Sequence, residues 1–301
     1  MENETATLQG SEYILLCQSF KEWLQLLNYS AHSIPSLGYH VRDFLLYLER
    51  HQKPTIQQLT ATDATGFINE LQTCTGVRTK KLYSAGHLNK YIQALHLLSR
   101  YIRETGRSDT GFMIGRKQQN RASPCWLTKA EMQRLYEATA DNVLGIRDRA
   151  MLAVYYGCGL RLNEGIHLHT GDILHDKKLL HVRKGKHYRE RYVPIAEKNY
   201  EELKLYVDYG RPQLLQDIKT EALFIDANKG RAMHKQSLYL RIKRLVKIAK
   251  IKKKVGAHTL RHSIATHLLQ SGMKLERIKE FLGHSHLDST QIYTHLVNET
   301  V

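Results

Sequence analysis

Cysteine is scarce in this 301-residue chain: Cys17, Cys74, Cys125 and Cys158 are the only four, and no two form a CxxC pair. Such wide spacing excludes a disulfide framework and a zinc ribbon, and it fits a reducing cytoplasm. Long apolar runs are missing too. The longest, at 13–17 and 150–156, fall far short of the ~20 residues that cross a bilayer, so no membrane role is expected. The start, MENETATLQG, is polar and acidic and does not read as a signal peptide. No repeat of fixed period and no low-complexity tract is found. Acidic side chains are in deficit: 29 Asp plus Glu face 45 Lys plus Arg, a net charge of +16. An excess of that size attracts a polyanion, and nucleic acid is the commonest one inside cells. Solubility charge alone is the plainer reading, but the basic residues gather in clusters.

What is present is a globular composition, 42% hydrophobic and 25% charged. Residues 12–106 read as four helices, at 12–28, 34–50, 63–72 with Thr62 as N-cap, and from after Ser84 to before Gly106. Leu88, Tyr91, Ile92, Leu95, Leu98 and Ile102 form one apolar stripe on the last, which marks core. GRKQQNRASP (115–124) is polar and basic and reads as a linker. Beyond it Thr128 and Glu131 fit a capping box. A helix over 145–157 is followed by short strands at 173–174, 179–183 and 189–193. Helices are expected at 196–209, 237–250, 259–271, 275–282 and 288–296. The fold class is therefore mainly α with a small antiparallel β-sheet in the second domain. The expected division is 1–114 helical, 115–126 basic linker, 127–301 second domain.

Three segments carry residues suited to phosphodiester chemistry: GLRLNE (159–164), the hairpin VRKGKHYRER (182–191), and HTLRH (258–262) followed by LGH (282–284) and Tyr293. A pentavalent phosphorus transition state gathers charge on its nonbridging oxygens. Paired arginines neutralise it bidentately and remain charged at any working pH. A tyrosine can attack covalently, and a lysine or histidine can protonate the departing oxygen.

In those stretches (YGCGLRLNEGIHL, VRKGKHYRERYVPI, AHTLRHSIATHLLQSG and FLGHSHLDSTQIYTHL) the second domain resembles the catalytic domain of the tyrosine recombinases, the family of lambda-type integrases, Cre and the Xer proteins. The resemblance covers about 127–296. It implies a two-domain architecture with an N-terminal core-binding, SAM-like DNA-binding domain. It also implies roles. Arg161 and Arg261 hold the scissile phosphate, His258 assists and moves protons, His284 donates to a nonbridging oxygen, Lys186 is the general acid, and Tyr293 is the nucleophile. Glu164 supports the active-site histidine or arginine. Neither ATP nor metal is implied, and no cofactor. The expected partner is double-stranded DNA with paired recombination sites, bound by four protomers that are monomeric or weakly associated when free, in the bacterial cytoplasm at the nucleoid.

Two departures from the family pattern stand out. Where the hairpin often reads Gly-Lys-Gly, His187 replaces the second glycine and Lys184 lies two residues before Lys186; spacing favours Lys186 as the acid. Only eight residues follow Tyr293, fewer than in many relatives. DNA contacts are expected from Arg183, Lys184 and Arg189 in the hairpin, from Arg241 and Arg244 on the helix at 237–250, and from the run Lys250, Lys252, Lys253, Lys254. His258 and His262 stand i, i+4, but Thr259 occupies the place of the glutamate of a metalloprotease motif, so no metal is expected. His262, His267 and His295 read as packing or surface groups. Integration or excision of a mobile element is the preferred role, because the hairpin and tail differ from the Xer pattern. Xer-type dimer resolution, a relaxing topoisomerase of type IB, a noncatalytic DNA-binding protein and, last, a zinc hydrolase are the alternatives.

Overall fold

The computed structural model describes residues 7–53, 55–76, 80–108, 111–118, 125–183, 190–216 and 218–283. Two compact units divide it, Met1–Arg121 and Ala122–Val301. The first is a bundle of α1 (Ser11–Leu26), α2 (Ser33–Arg50), α3 (Ala61–Thr73) and α4 (Ala85–Glu104). Each turns its apolar stripe inward, and Phe20, Phe44, Leu48, Phe67, Tyr91 and Leu95 meet there, 0–2% exposed. Burying one such side chain contributes roughly 1.5–3 kcal/mol. Helix α3 starts two residues before its expected position. Thr60, not Thr62, is its N-cap, because Asp63 bonds back to the Thr60 N–H while Thr60 Oγ1 accepts from the Asp63 N–H. The start of the expected linker lies along α4: Lys117 exchanges two backbone bonds with the Asn89 amide.

The second unit opens with α5 (Lys129–Glu137), capped by the Thr128–Glu131 box. Helix α6 (Val143–Leu152) runs into a π turn, Ala153–Gly157, and α7 (Leu162–Ile166) follows. Next comes a three-stranded antiparallel sheet in the order β1 (Ile173–Leu174), β2 (Leu179–Val182), β3 (Arg191–Pro194). Helix α8 (Glu197–Leu205) passes through a second wide turn, Tyr206–Gly210, into α9 (Arg211–Leu214). Then come α10 (Lys235–Ile248), α11 (Ala257–Gln270) and α12 (Leu275–Leu282). The helix expected at 288–296 lies outside the described residues. Tyr155, Leu180, Val193, Leu203, Leu238 and Leu260 are among the fully buried side chains of this unit's core. Ala265, Ile278 and Leu282 seal α11 against α12. In the sheet Leu180 and Val182 face inward and pair with Val193 and Arg191, so alternation places Arg191 on the inward face.

One buried polar group in the first unit has a measurable consequence. His40 is 5% exposed, its ring lies 4.1 Å from that of Tyr91, and neither ring nitrogen has a hydrogen-bond partner among the described residues. Burial, with the nearby His87 and Lys90, lowers its pKa to about 4. The unfolded chain therefore takes up a proton that the folded chain refuses as pH falls from about 6.5 towards 4, and stability declines in that window. We expect His40→Leu to reduce the acid-side loss by on the order of 2–3 kcal/mol, read from urea midpoints of the full chain at pH about 7.5 and about 4.5.

Candidate active site

Arg161 reaches its position through local backbone geometry. The π turn at Ala153–Gly157 ends α6, and Gly159 then takes φ +63°, a left-handed conformation that turns the chain into α7. A Cβ at Gly159 would lie 2.9 Å from Leu282 Cδ2 and 3.0 Å from Phe281 Cε1, so glycine also allows α12 to approach. Arg161 is the N-cap of α7, and Glu164, three residues on, accepts the Arg161 N–H at 2.8 Å and its Nη1 at 2.9 Å.

Glu164 is the meeting point of the site. Its side chain is 1% exposed. Arg191 on β3 donates Nη1 and Nη2 to its two oxygens, each at 3.1 Å, and Arg261 Nη1 stands 3.7 Å away. Burial by itself raises the carboxyl pKa. The bonds and charge of Arg191, the Arg161 N–H and the charge of Arg261 outweigh burial and hold it below the usual carboxylate range. Glu164 is therefore ionised among three guanidiniums.

The same arginines grip the end of α12. Arg191 Nε donates to the Phe281 carbonyl at 3.2 Å, Arg261 Nη2 to that of Leu282 at 2.8 Å, and Arg161 Nη2 to that of Gly283 at 3.4 Å. Arg261 Nη1 also bonds the Gly159 carbonyl at 2.7 Å. The last carbonyls of a helix have no partners inside it; here three side chains from three elements supply them. Gly283 closes α12 at φ +65°, and a Cβ there would lie 2.9 Å from the Arg191 guanidinium. His258 is exposed in the first turn of α11, one turn before Arg261. Partial desolvation, then the charges of Arg261 and Arg161, lower its pKa, so the imidazole is neutral at neutral pH. Arg161, Glu164, His258 and Arg261 are thus brought together. Lys184, Lys186, Arg189, His284 and Tyr293 lie outside the described residues.

Arg191 was not among the residues expected at the site. An arginine at an inward position of a short strand, opposite Val182, is the signal that could have found it. At the foot of the hairpin Arg183 Nε bonds the buried Asp172 at 2.8 Å, and His181 bonds Glu190 at 2.7 Å. His262 and His267 are each 5% exposed, and Tyr156 bonds His267 Nδ1 at 2.9 Å.

The basic groups expected to face DNA separate into two sets. Arg244, Lys250, Lys252 and Lys254 are exposed. Arg241, expected on the groove-facing side of its helix, turns instead to the core, where Nε bonds both oxygens of the fully buried Asp148 at 2.9 and 2.8 Å. A buried carboxylate needs such a partner, and that requirement overrides the exposed face. Lys253 is likewise engaged, with the Trp126 carbonyl at 2.9 Å and Glu131 at 2.6 Å.

The phage integrase family matches residues 125–300 of this chain. The tyrosine recombinase XerC of Anoxybacillus flavithermus is 30% identical over 93% of this chain and 92% of its own length. The tyrosine recombinase XerD of Oceanobacillus iheyensis is 31% identical over 89% of this chain and 88% of its own. Among solved structures, XerH bound to its difH substrate is similar at TM-score 0.70 and 22% identity, covering 95% of this chain and 82% of that one. The Tn1549 transposon integrase with a circular intermediate DNA is similar at TM-score 0.72 and 17% identity, over 95% and 99%. The chain belongs to the phage integrase family and is a tyrosine recombinase, an enzyme of site-specific DNA cleavage and rejoining.

The pairing of Arg241 with the buried Asp148 has a measurable effect on stability. Arg241→Leu leaves the buried Asp148 with only the more distant Arg147, whose Nη2 stands 3.9 Å away, and should cost about 3–5 kcal/mol of unfolding free energy, whereas Arg241→Leu with Asp148→Leu should recover part of it, Arg147 then lacking its buried counter-charge. Urea denaturation of the three proteins measures both.

Proposed function

We propose that the chain exchanges DNA strands through a covalent bond to Tyr293. The observation that carries this is the sharing of one buried carboxylate, Glu164, by Arg161 and Arg261, a hundred residues apart, with His258 beside them. The two guanidiniums bind the nonbridging oxygens of the scissile phosphate and neutralise the charge that grows in the transition state. Tyr293 attacks phosphorus, its proton passing to the neutral His258. The bond from phosphorus to the 5′ oxygen breaks, and Lys186 protonates that oxygen. A 3′-phosphotyrosine and a free 5′-hydroxyl result. The 5′-hydroxyl of a second duplex reverses the step, so the ester is conserved and no ATP is consumed. His284 donates to a nonbridging oxygen.

Paired sites on two duplexes call for four protomers. Arg244, Lys250, Lys252 and Lys254 contact phosphate, together with Arg183, Lys184 and Arg189 of the hairpin. The similarity to the tyrosine recombinases XerC and XerD, over 93% and 89% of this chain, supports paired-site exchange of the Xer type. Integration or excision of a mobile element draws on the fold shared with the Tn1549 integrase and on the hairpin sequence.

A duplex nicked near the cleavage point traps the intermediate. The wild-type chain should form a covalent DNA adduct that survives denaturing electrophoresis, and Tyr293→Phe should form none; an adduct on the phenylalanine variant refutes the assignment. Removing a general acid costs about 10²–10⁴-fold, so Lys186→Ala should slow adduct formation on that scale while Lys184→Ala slows it far less. Equal losses would mean that spacing misidentified the lysine.

A further inference from the structure

We propose that Arg191 is a positioning residue of this recombinase, setting the charge that Arg161 and Arg261 present to the phosphate; the inference rests on the strand-exchange reading above. Glu164 solves one problem and creates another. A buried carboxylate lets two like-charged guanidiniums stand close together. It also attracts both and offsets part of the positive charge that a phosphate diester requires. Arg191 offsets that carboxylate in turn. It is 9% exposed, it bonds both Glu164 oxygens, and its position opposite Val182 directs it inward. One carboxylate then faces three guanidiniums, so the charge of the two phosphate-binding arginines is not consumed within the protein. The third donor of Arg191, Nε, holds the Phe281 carbonyl beside the Leu282 carbonyl that Arg261 bonds, which fixes the second arginine from its other side.

The pairing is geometric as well as electrostatic. A planar fork reaches both carboxylate oxygens at once, which an ammonium cannot do. Arg191 makes no contact with substrate in this scheme. Its loss should therefore slow chemistry and leave binding of duplex DNA, with its many phosphate contacts, nearly unchanged.

The test is adduct formation on the nicked duplex, with duplex affinity measured in parallel. Arg191→Met should slow the adduct about 100-fold and weaken duplex binding less than about threefold. Arg191→Lys should fall between, about tenfold slow. Adding Glu164→Gln to Arg191→Met removes the charge that Arg191 balances, and the double variant should return to within about tenfold of wild type. A purely structural role would also be relieved by removing the carboxylate charge, but it predicts that urea stability and duplex affinity fall and recover in step with the adduct rate, whereas a positioning role leaves duplex affinity nearly unchanged throughout. Wild-type rates in Arg191→Met overturn the proposal, as does a folded double variant no faster than the single. Should Arg191→Met not fold, the comparison of Arg191→Lys with Arg191→Lys plus Glu164→Gln makes the same decision. No adduct with the wild-type chain, or an adduct with Tyr293→Phe, refutes the strand-exchange reading itself and is distinguishable from both results.

Discussion

A carboxylate taken out of water holds the centre of the second unit together. Glu164 is desolvated at a cost that only opposite charge and hydrogen bonds offset, and it receives them from Arg161, Arg191 and Arg261. The dependence runs both ways, because three guanidiniums would repel one another around an apolar residue. The cluster thus links α7, β3 and α11, elements separated by up to a hundred residues in the chain. Its outer rim bonds the end of α12, so a fourth element is tied to the same electrostatic unit.

That economy rests on backbone features as much as on charge. A π turn widens the end of α6, and two glycines in the left-handed region, Gly159 and Gly283, bracket the cluster. At each, an added methyl group would meet an atom of the opposing partner at 2.9 Å. Close approach of α12 to the arginines is therefore a property of the chain trace. The sheet contributes through register: two inward positions of β3 hold Val193, which belongs to the core, and Arg191, which belongs to the site.

Most of this fold was legible in the sequence because it follows local periodicity. The apolar stripe of α4 and the capping box at Thr128 and Glu131 each appear where spacing and side-chain chemistry place them. Failures occurred where two local solutions competed. Thr60 and Thr62 can both cap a helix, and only the reach of Asp63 decides between them. Arg161, His258 and Arg261 could be named because motif spacing survives in the chain. Arg191 could not, since its meaning depends on which carboxylate lies across the core. For the same reason Arg241 read as a groove-facing base: nothing in a basic amphipathic helix announces that Asp148, ninety-three residues earlier, waits beneath it.

The Asp148–Arg241 pair divides the labour of α10. Its anchor is sunk in the core, while Lys243, Arg244 and Lys247 point to solvent with no structural duty of comparable weight. A helix built this way can drift at its outer positions without endangering the fold. The outer face of α10 is thus a surface open to variation over a fixed foundation.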